Sequence, residues 1–440
     1  MFIGNAATGR VRGIAAALPQ GTLPVGSGLA VLGVTSYVFL ILAARRLSAT
    51  SFAEIGVVWT ALFTLGPGLF LPLEQSVAQR IAGGGAVRPV LAQAATFAAG
   101  LLGAFLLAAI ACFPVAGGRL FDDNVPLFVA TLGACVVLSS LHLSRGVFAG
   151  QARFASYGWQ LALDGLTRAG GAAVLAAAGV TSVTAYAVVL CVSQLLALAV
   201  TGGVRRTSGP ERTATVHPRE AGPAPVVSLR AFVRGAGWML AATLAAQVLV
   251  NAGTVAVKAL AGRDDPAAGH FLSAVLLTRL PLFLFAAIQA SLLPGFVRGI
   301  RAGESDRVLA GLRRLIAGLV ALGLVASLLL LAVGPALNRL VFGPGYAVSR
   351  LLLVALSVAA TVYMVAASLG QVLFAVERAS RVALGWIVGV VVLLAALLLP
   401  IGVETRVSLA FLLGSAVSLA VFGWEARRGF GLRSHEVQPR

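Results

Sequence analysis

The chain reads as an all-α integral membrane protein with about twelve transmembrane helices arranged as two parallel six-helix lobes. Three observations predict this. Hydrophobic residues make up 59% of the sequence and charged residues 11%, with a mean hydropathy of +0.96, a balance outside the soluble globular classes. Twelve apolar runs lie at 22–44, 55–78, 90–113, 125–144, 157–178, 182–202, 236–258, 269–297, 312–337, 348–374, 382–402 and 407–424, each near the roughly 20 residues that cross the hydrocarbon core as a helix. They are too long and too uniformly apolar for barrel strands, and irregular backbone cannot face lipid.

The first run begins after residue 20 and is followed by eleven more, so it reads as a retained helix and not a cleaved leader. The second contains LGPGLFLPLEQSVAQRIAG (65–83). Pro67 and Pro72 are expected to kink it, because proline has no N–H to give the helix, and Glu74 follows toward its inner end, near Arg80. His142, near the inner end of the fourth run, reads as a packed or headgroup-level histidine. Cys112, Cys135 and Cys191 fall inside runs without metal-type spacing and read as small packing residues. The fifth run places Asp164 and Arg168 four residues apart, on one helical face. They form either a self-satisfied ion pair or a cavity-facing pair whose arginine can fork onto phosphate.

The polar connector 203–235 divides the runs six and six and reads as a cytosolic linker ending in a short interfacial helix. It separates an N-terminal lobe (1–202) from a C-terminal lobe (236–426), which a cytosolic tail (427–440) follows. In the eighth run Arg279 has no acid within a turn on either side and lies about ten residues, or roughly 15 Å, from the outer end. Pro281 is expected to kink this helix too. A charge at membrane depth costs a few kcal/mol or more, so such groups usually face a bundle interior or a water-filled path. Glu74, Asp164, Arg168 and Arg279 are therefore the candidate functional residues: Arg279 and Arg168 for an anionic substrate, Glu74 and Asp164 for gating or charge balance.

The halves repeat each other. Pro67 precedes Gln75 by the same spacing at which Pro281 precedes Gln289, and FAGQARFASYGW (148–159) after the fourth run matches FAVERASRVALGW (374–386) after the tenth. Six runs per half is an even number, so the repeats share one orientation, with a substrate path expected at their interface. The net charge of +18 is a topology signal and not a nucleic-acid footprint. Apart from Arg168 and Arg279, the loops on one side hold only Arg45, Arg46, Arg119, Lys258, Arg263, Arg339, Arg350 and Arg406. All other basic residues lie in the alternate loops and at the termini, which marks that side as cytoplasmic. The outer loops are short, Asp122-Asp123 and Asp264-Asp265 read as solvated turn residues, and no GxxxxGK[ST] cradle is present. An enzyme, an ATP-driven pump, a metal site or a bound cofactor is therefore not expected.

The twelve runs in two halves, LGPGLFLPLEQSVAQRIAG and SRGVFAGQARFASYGW (144–159) resemble the polysaccharide-transporter flippases, O-antigen type, of the multidrug/oligosaccharidyl-lipid/polysaccharide exporter superfamily, a MATE-like architecture. The resemblance implies flipping of an undecaprenyl-diphosphate-linked oligosaccharide across the bacterial inner membrane by alternating access. It implies membrane lipids and a polysaccharide polymerase or glycosyltransferases of the same pathway as partners. The superfamily's cation-coupled drug exporters are the main alternative. They typically keep carboxylates in the first, seventh or eighth helix, where 22–44, 236–257 and 269–297 have none. A membrane-embedded glycan-processing enzyme is a further alternative.

Overall fold

The computed structural model describes residues 21–203, 229–263 and 265–431. Arg10, Arg12, nearly all of the 203–235 linker with His217, Asp264 and most of the cytosolic tail lie outside the described residues.

Among the described residues every regular element is helical. In the first half these are α1 (Thr22–Arg46), α2 (Ala49–Leu65), a π-helical segment (Gly66–Phe70), α3 (Leu71–Ala82), α4 (Val87–Leu120), α5 (Val125–Gly150), α6 (Phe154–Ala177) and α7 (Val183–Gly203). The second half has α8 (Leu229–Leu260), α9 (Ala267–Thr278), α10 (Leu280–Arg301), α11 (Ser305–Phe342), α12 (Arg350–Ala375), α13 (Ala379–Ala396) and α14 (Val403–Gly431). Ten helices are long and apolar enough to cross a membrane among the described residues, and the chain is a multi-pass membrane protein. Counting α2–π–α3 and α9–α10 as one crossing each recovers the twelve runs. The described end of the linker forms no separate interfacial helix; α8 is continuous from Leu229.

Proline decides both irregular crossings. At Pro67 the helix widens into the π segment, and the carbonyl of Phe63, four residues back, has no N–H to accept from. Asn251 Nδ2 on α8 supplies that bond at 3.3 Å. Pro72 leaves the carbonyl of Gly68 in the same position, and Thr243 Oγ1 donates to it at 2.8 Å. The equivalent crossing in the second half does not run as one kinked helix. It breaks at Arg279, which caps both α9 and α10, two residues before Pro281.

The repeated motifs close on one turn. Ala152 N donates to Ala149 O at 3.1 Å and Arg153 N to Phe148 O at 2.8 Å; Glu377 N donates to Phe374 O at 3.0 Å and Arg378 N to Leu373 O at 2.9 Å. This double bond around a left-handed residue is the Schellman helix end. Ala152 (φ 56°) and Glu377 (φ 62°) adopt it without glycine.

Two compact units emerge, and they cut across the halves of the chain. One comprises residues 21–43, 73–107 and 129–203; the other comprises 44–72, 108–128 and 229–431. The reason is visible in α2, which is buried nearly all round from Phe52 to Trp59. It packs on α8 and α9 through close backbone approach: a Cβ on Gly269 would stand 2.0 Å from the Ala49 carbonyl oxygen. Phe52 meets Tyr346 edge-on with ring centroids 5.6 Å apart, and Tyr346 Oη donates to the Ala44 carbonyl at 3.0 Å. Burial pushes the Tyr346 phenol pKa up and keeps the donor protonated.

Candidate functional site

In the second unit, the break between α9 and α10 sets Arg279 at the end of one helix and the start of the next. Its Nη1 donates to Asn251 Oδ1 at 2.9 Å and its Nη2 to the Val250 carbonyl. Both acceptors are neutral. Asn251, 3% exposed, thus does two things: it holds the carbonyl freed by Pro67, and it orients the guanidinium. Beside Arg279 is a cavity of about 20 Å³ lined among others by Thr254, Phe271, Thr278, Leu356 and Phe411, room for about one water. Sequence reasoning found Arg279 but not Asn251, because an asparagine in an apolar run carries no charge to flag it.

The first unit holds the other three predicted residues in two adjoining networks. The buried stripe of α6 (Gly158, Leu161, Gly165, Ala172, Ala176) also carries Gln160, Asp164 and Arg168. Arg168 Nη2 donates to both Asp164 oxygens at 2.8 and 2.9 Å, and Nη1 to Ser36 Oγ at 3.1 Å. Ser193 Oγ adds a bond to Asp164 at 3.0 Å, and Arg145 Nη2 stands 3.9 Å from Asp164 Oδ2. Arg145 Nε also donates to Gln160 Oε1 at 3.2 Å. Asp164 therefore has two guanidinium neighbours, and Arg168 is 5% exposed. Of the two sequence readings of this pair, the geometry displays the ion pair.

Glu74 does not meet Arg80, whose Nη1 donates instead to Gln93. The Glu74 carboxylate accepts from Tyr157 Oη on α6 and lies 2.7 Å from His142 Nδ1 on α5. α5 can approach that closely because Gly146 faces the Glu74 backbone: a Cβ there would stand 2.7 Å from the Glu74 carbonyl oxygen. His142, read as a packing residue, is a direct partner of the acid.

A third cluster was missed. In the second unit Lys258, at the end of α8 and 2% exposed, donates to both oxygens of Asp122 at 3.1 and 3.0 Å. Glu54 on α2, 5% exposed, lies beside Asp122, and its Oε2 has no hydrogen-bond partner among the described residues. Asp122 (φ 48°) and Asp123 (φ 59°) are consecutive left-handed residues, a conformation costing roughly 1–2 kcal/mol each for non-glycine residues. The turn sends Asp123 to Arg263 in an exposed pair, as expected of a solvated residue, but Asp122 to a buried ammonium. The available signal was that Lys258 is the chain's single lysine and Glu54 a lone acid in ATSFAEIGVVW. Among the described residues no group of His, Cys, Asp and Glu is arranged to hold a metal.

No family model matches the chain. The uncharacterised protein Rv3630 of Mycobacterium tuberculosis is 30% identical over 409 residues, covering 90% of each chain. Rv1510 of the same species is 28% identical over 419 residues, 90% of this chain and 89% of that one. Among solved structures, an inward-facing multidrug resistance MATE family transporter of the MOP superfamily aligns over 94% of this chain and 99% of its own, with TM-score 0.69 and 14% identity. An outward-facing MATE transporter of that superfamily aligns over 94% and 96%, with TM-score 0.58 and 14% identity. The fold is the MATE fold.

Proposed function

We propose that this chain, which belongs to the same family as Rv3630 of Mycobacterium tuberculosis, is a flippase for an undecaprenyl-diphosphate-linked oligosaccharide. It works by alternating access of two six-helix lobes in the bacterial inner membrane, with both termini cytoplasmic, and serves cell-surface polysaccharide synthesis. The observation that carries this reading is Arg279, a permanent cation at membrane depth, set at a helix break beside a small cavity, where its guanidinium donates to the Asn251 amide and the Val250 carbonyl. A guanidinium so placed favours a diphosphate and disfavours organic cations. Water-lined substrate paths are where broken helices and intramembrane charges are tolerated.

Arg279 is assigned the phosphate. Arg168, held at both terminal nitrogens, is assigned with Asp164 to a structural pair that yields to phosphate only if the pair opens. Glu74 balances or gates through His142. Membrane lipids and the polymerase or glycosyltransferases of the same pathway are the partners this role implies.

The test is flipping of a labelled lipid-diphosphate oligosaccharide by protein reconstituted in liposomes. Arg279→Ala is expected to lower the rate at least tenfold, equivalent to about 1.4 kcal/mol. A rate near wild type removes the assignment. The second reading, cation-coupled multidrug export, is favoured by what the MATE structures of the same fold are named for. Dye efflux that requires a cation gradient is the outcome that selects it. Chain extension or sugar transfer by the purified protein would instead make it an enzyme.

A further inference from the structure

We propose that Glu54, Asp122 and Lys258 form a proton-binding site that closes residues 44–72 and 108–128 onto α8, and that losing the proton loosens this closure. The proposal goes beyond the flippase reading and does not depend on the substrate.

The argument is a charge count in a buried place. Lys258 is 2% exposed and is satisfied by the two oxygens of Asp122. Glu54 is a second carboxyl beside the Asp122–Lys258 pair, in contact with Asp122, 5% exposed, with one oxygen lacking a hydrogen-bond partner among the described residues. Two ionised carboxylates would leave an uncompensated negative charge at a site only partly open to solvent. A proton on Glu54 makes the trio neutral and turns its carboxyl from acceptor only into a donor. The Asp122 side chain is 27% exposed, so the site opens on water through the residue with which Glu54 would share that proton.

Two further cations of this unit, Arg263 and His270, have partners of their own. Asp123 and Arg263 pair at the surface, each side chain more than half exposed. His270 of α9 interacts with Glu404 and hydrogen-bonds the Gly345 carbonyl at 2.9 Å. Neither group offers Glu54 a second cation.

The three residues come from separate segments: Glu54 from α2, Asp122 from the turn between α4 and α5, Lys258 from the end of α8. Arg45 donates to the carbonyls of Val341 and Leu340, and Tyr346 to that of Ala44, at the same end of the unit. Those bonds contain no carboxyl group, whereas the trio contains two. The arginine distribution puts this end outside the cell, so the site would read the external proton concentration.

The test measures the closure directly. Spin labels at Val125→Cys and Gly262→Cys, both exposed positions flanking the trio, are placed in protein whose Cys112, Cys135 and Cys191 are alanine. Distances are read by pulsed electron resonance in nanodiscs from about pH 5 to about pH 9, the interval in which a buried glutamate titrates. The expected result is a short distance at low pH and a growing longer population as pH rises. Glu54→Gln, which mimics the protonated acid, should hold the short distance throughout. Asp122→Asn, which leaves one carboxylate for one ammonium, should do the same, and decides the matter if Glu54→Gln does not fold. A distance distribution insensitive to pH in the unsubstituted background overturns the proposal. So does an unchanged pH response in the folded variants.

Discussion

At the scale of single residues, the informative fact about each buried charge is its partner and not its depth. Asp164, Arg168 and Arg279 all lie inside apolar runs, yet the first two bind each other through both carboxylate oxygens while the third donates to an amide oxygen and a backbone carbonyl. The consequence is measurable. Asp164→Ala leaves Arg168 and Arg145 without their shared acid, and breaking a buried pair from one side costs about 3–5 kcal/mol. Thermal unfolding in detergent should show a large fall. Asp164→Leu with Arg168→Met should recover part of it, because a buried pair exchanged for apolar groups of similar volume is often neutral, while Arg145 still lacks its acid. Arg279→Ala is expected to lower flipping, with a stability loss smaller than that of Asp164→Ala because the acceptors it orphans are neutral. Asn251→Ala should affect both properties, since it orphans the Phe63 carbonyl, at about 1–3 kcal/mol, and releases the Arg279 guanidinium. Substrate-free melting curves and the flipping rate, read side by side, distinguish these roles.

At the scale of elements, the helices and their number were legible in the sequence because each run must bury or expose a whole apolar cylinder in lipid, which demands length and composition alone. The interruptions were legible as prolines but not in kind. Pro67 produced a π-helical widening stabilised by side chains of α8, while Pro281 accompanied a full break at Arg279. What a proline does depends on who accepts or supplies the freed bonds, and those partners lie about 175–190 residues away. Pro67→Ala is expected to return an N–H to Phe63 and compete with Asn251 for that carbonyl. Packing of α2 on α9 is the tighter constraint. Gly269→Ala drives a methyl into the Ala49 carbonyl, and overpacking of this kind costs about 1–3 kcal/mol, to be read as a lowered melting temperature.

At the scale of the whole molecule, the arginine asymmetry predicts that cysteines introduced at Arg313 and Arg381 react with a membrane-impermeant thiol reagent only from the cytoplasmic side. Cysteine at Arg263 should react only from outside, and labelling of intact cells against inverted vesicles checks both. The repeat was legible because two copies of a helix end need the same local backbone, and Ala152-Arg153 and Glu377-Arg378 close the same turn. By itself the sequence determined the α-helical membrane class, the approximate number of crossings and the residues too costly to sit in lipid, since these follow from transfer free energies summed along the chain. Only the tertiary structure decided that Asp164 serves Arg168, that Glu74 meets His142 instead of Arg80, and that Asp122 takes the one lysine with Glu54 beside it. A charge in low dielectric is satisfied by whatever lies within a few ångströms, and neighbours at that distance come from helices far apart in the chain.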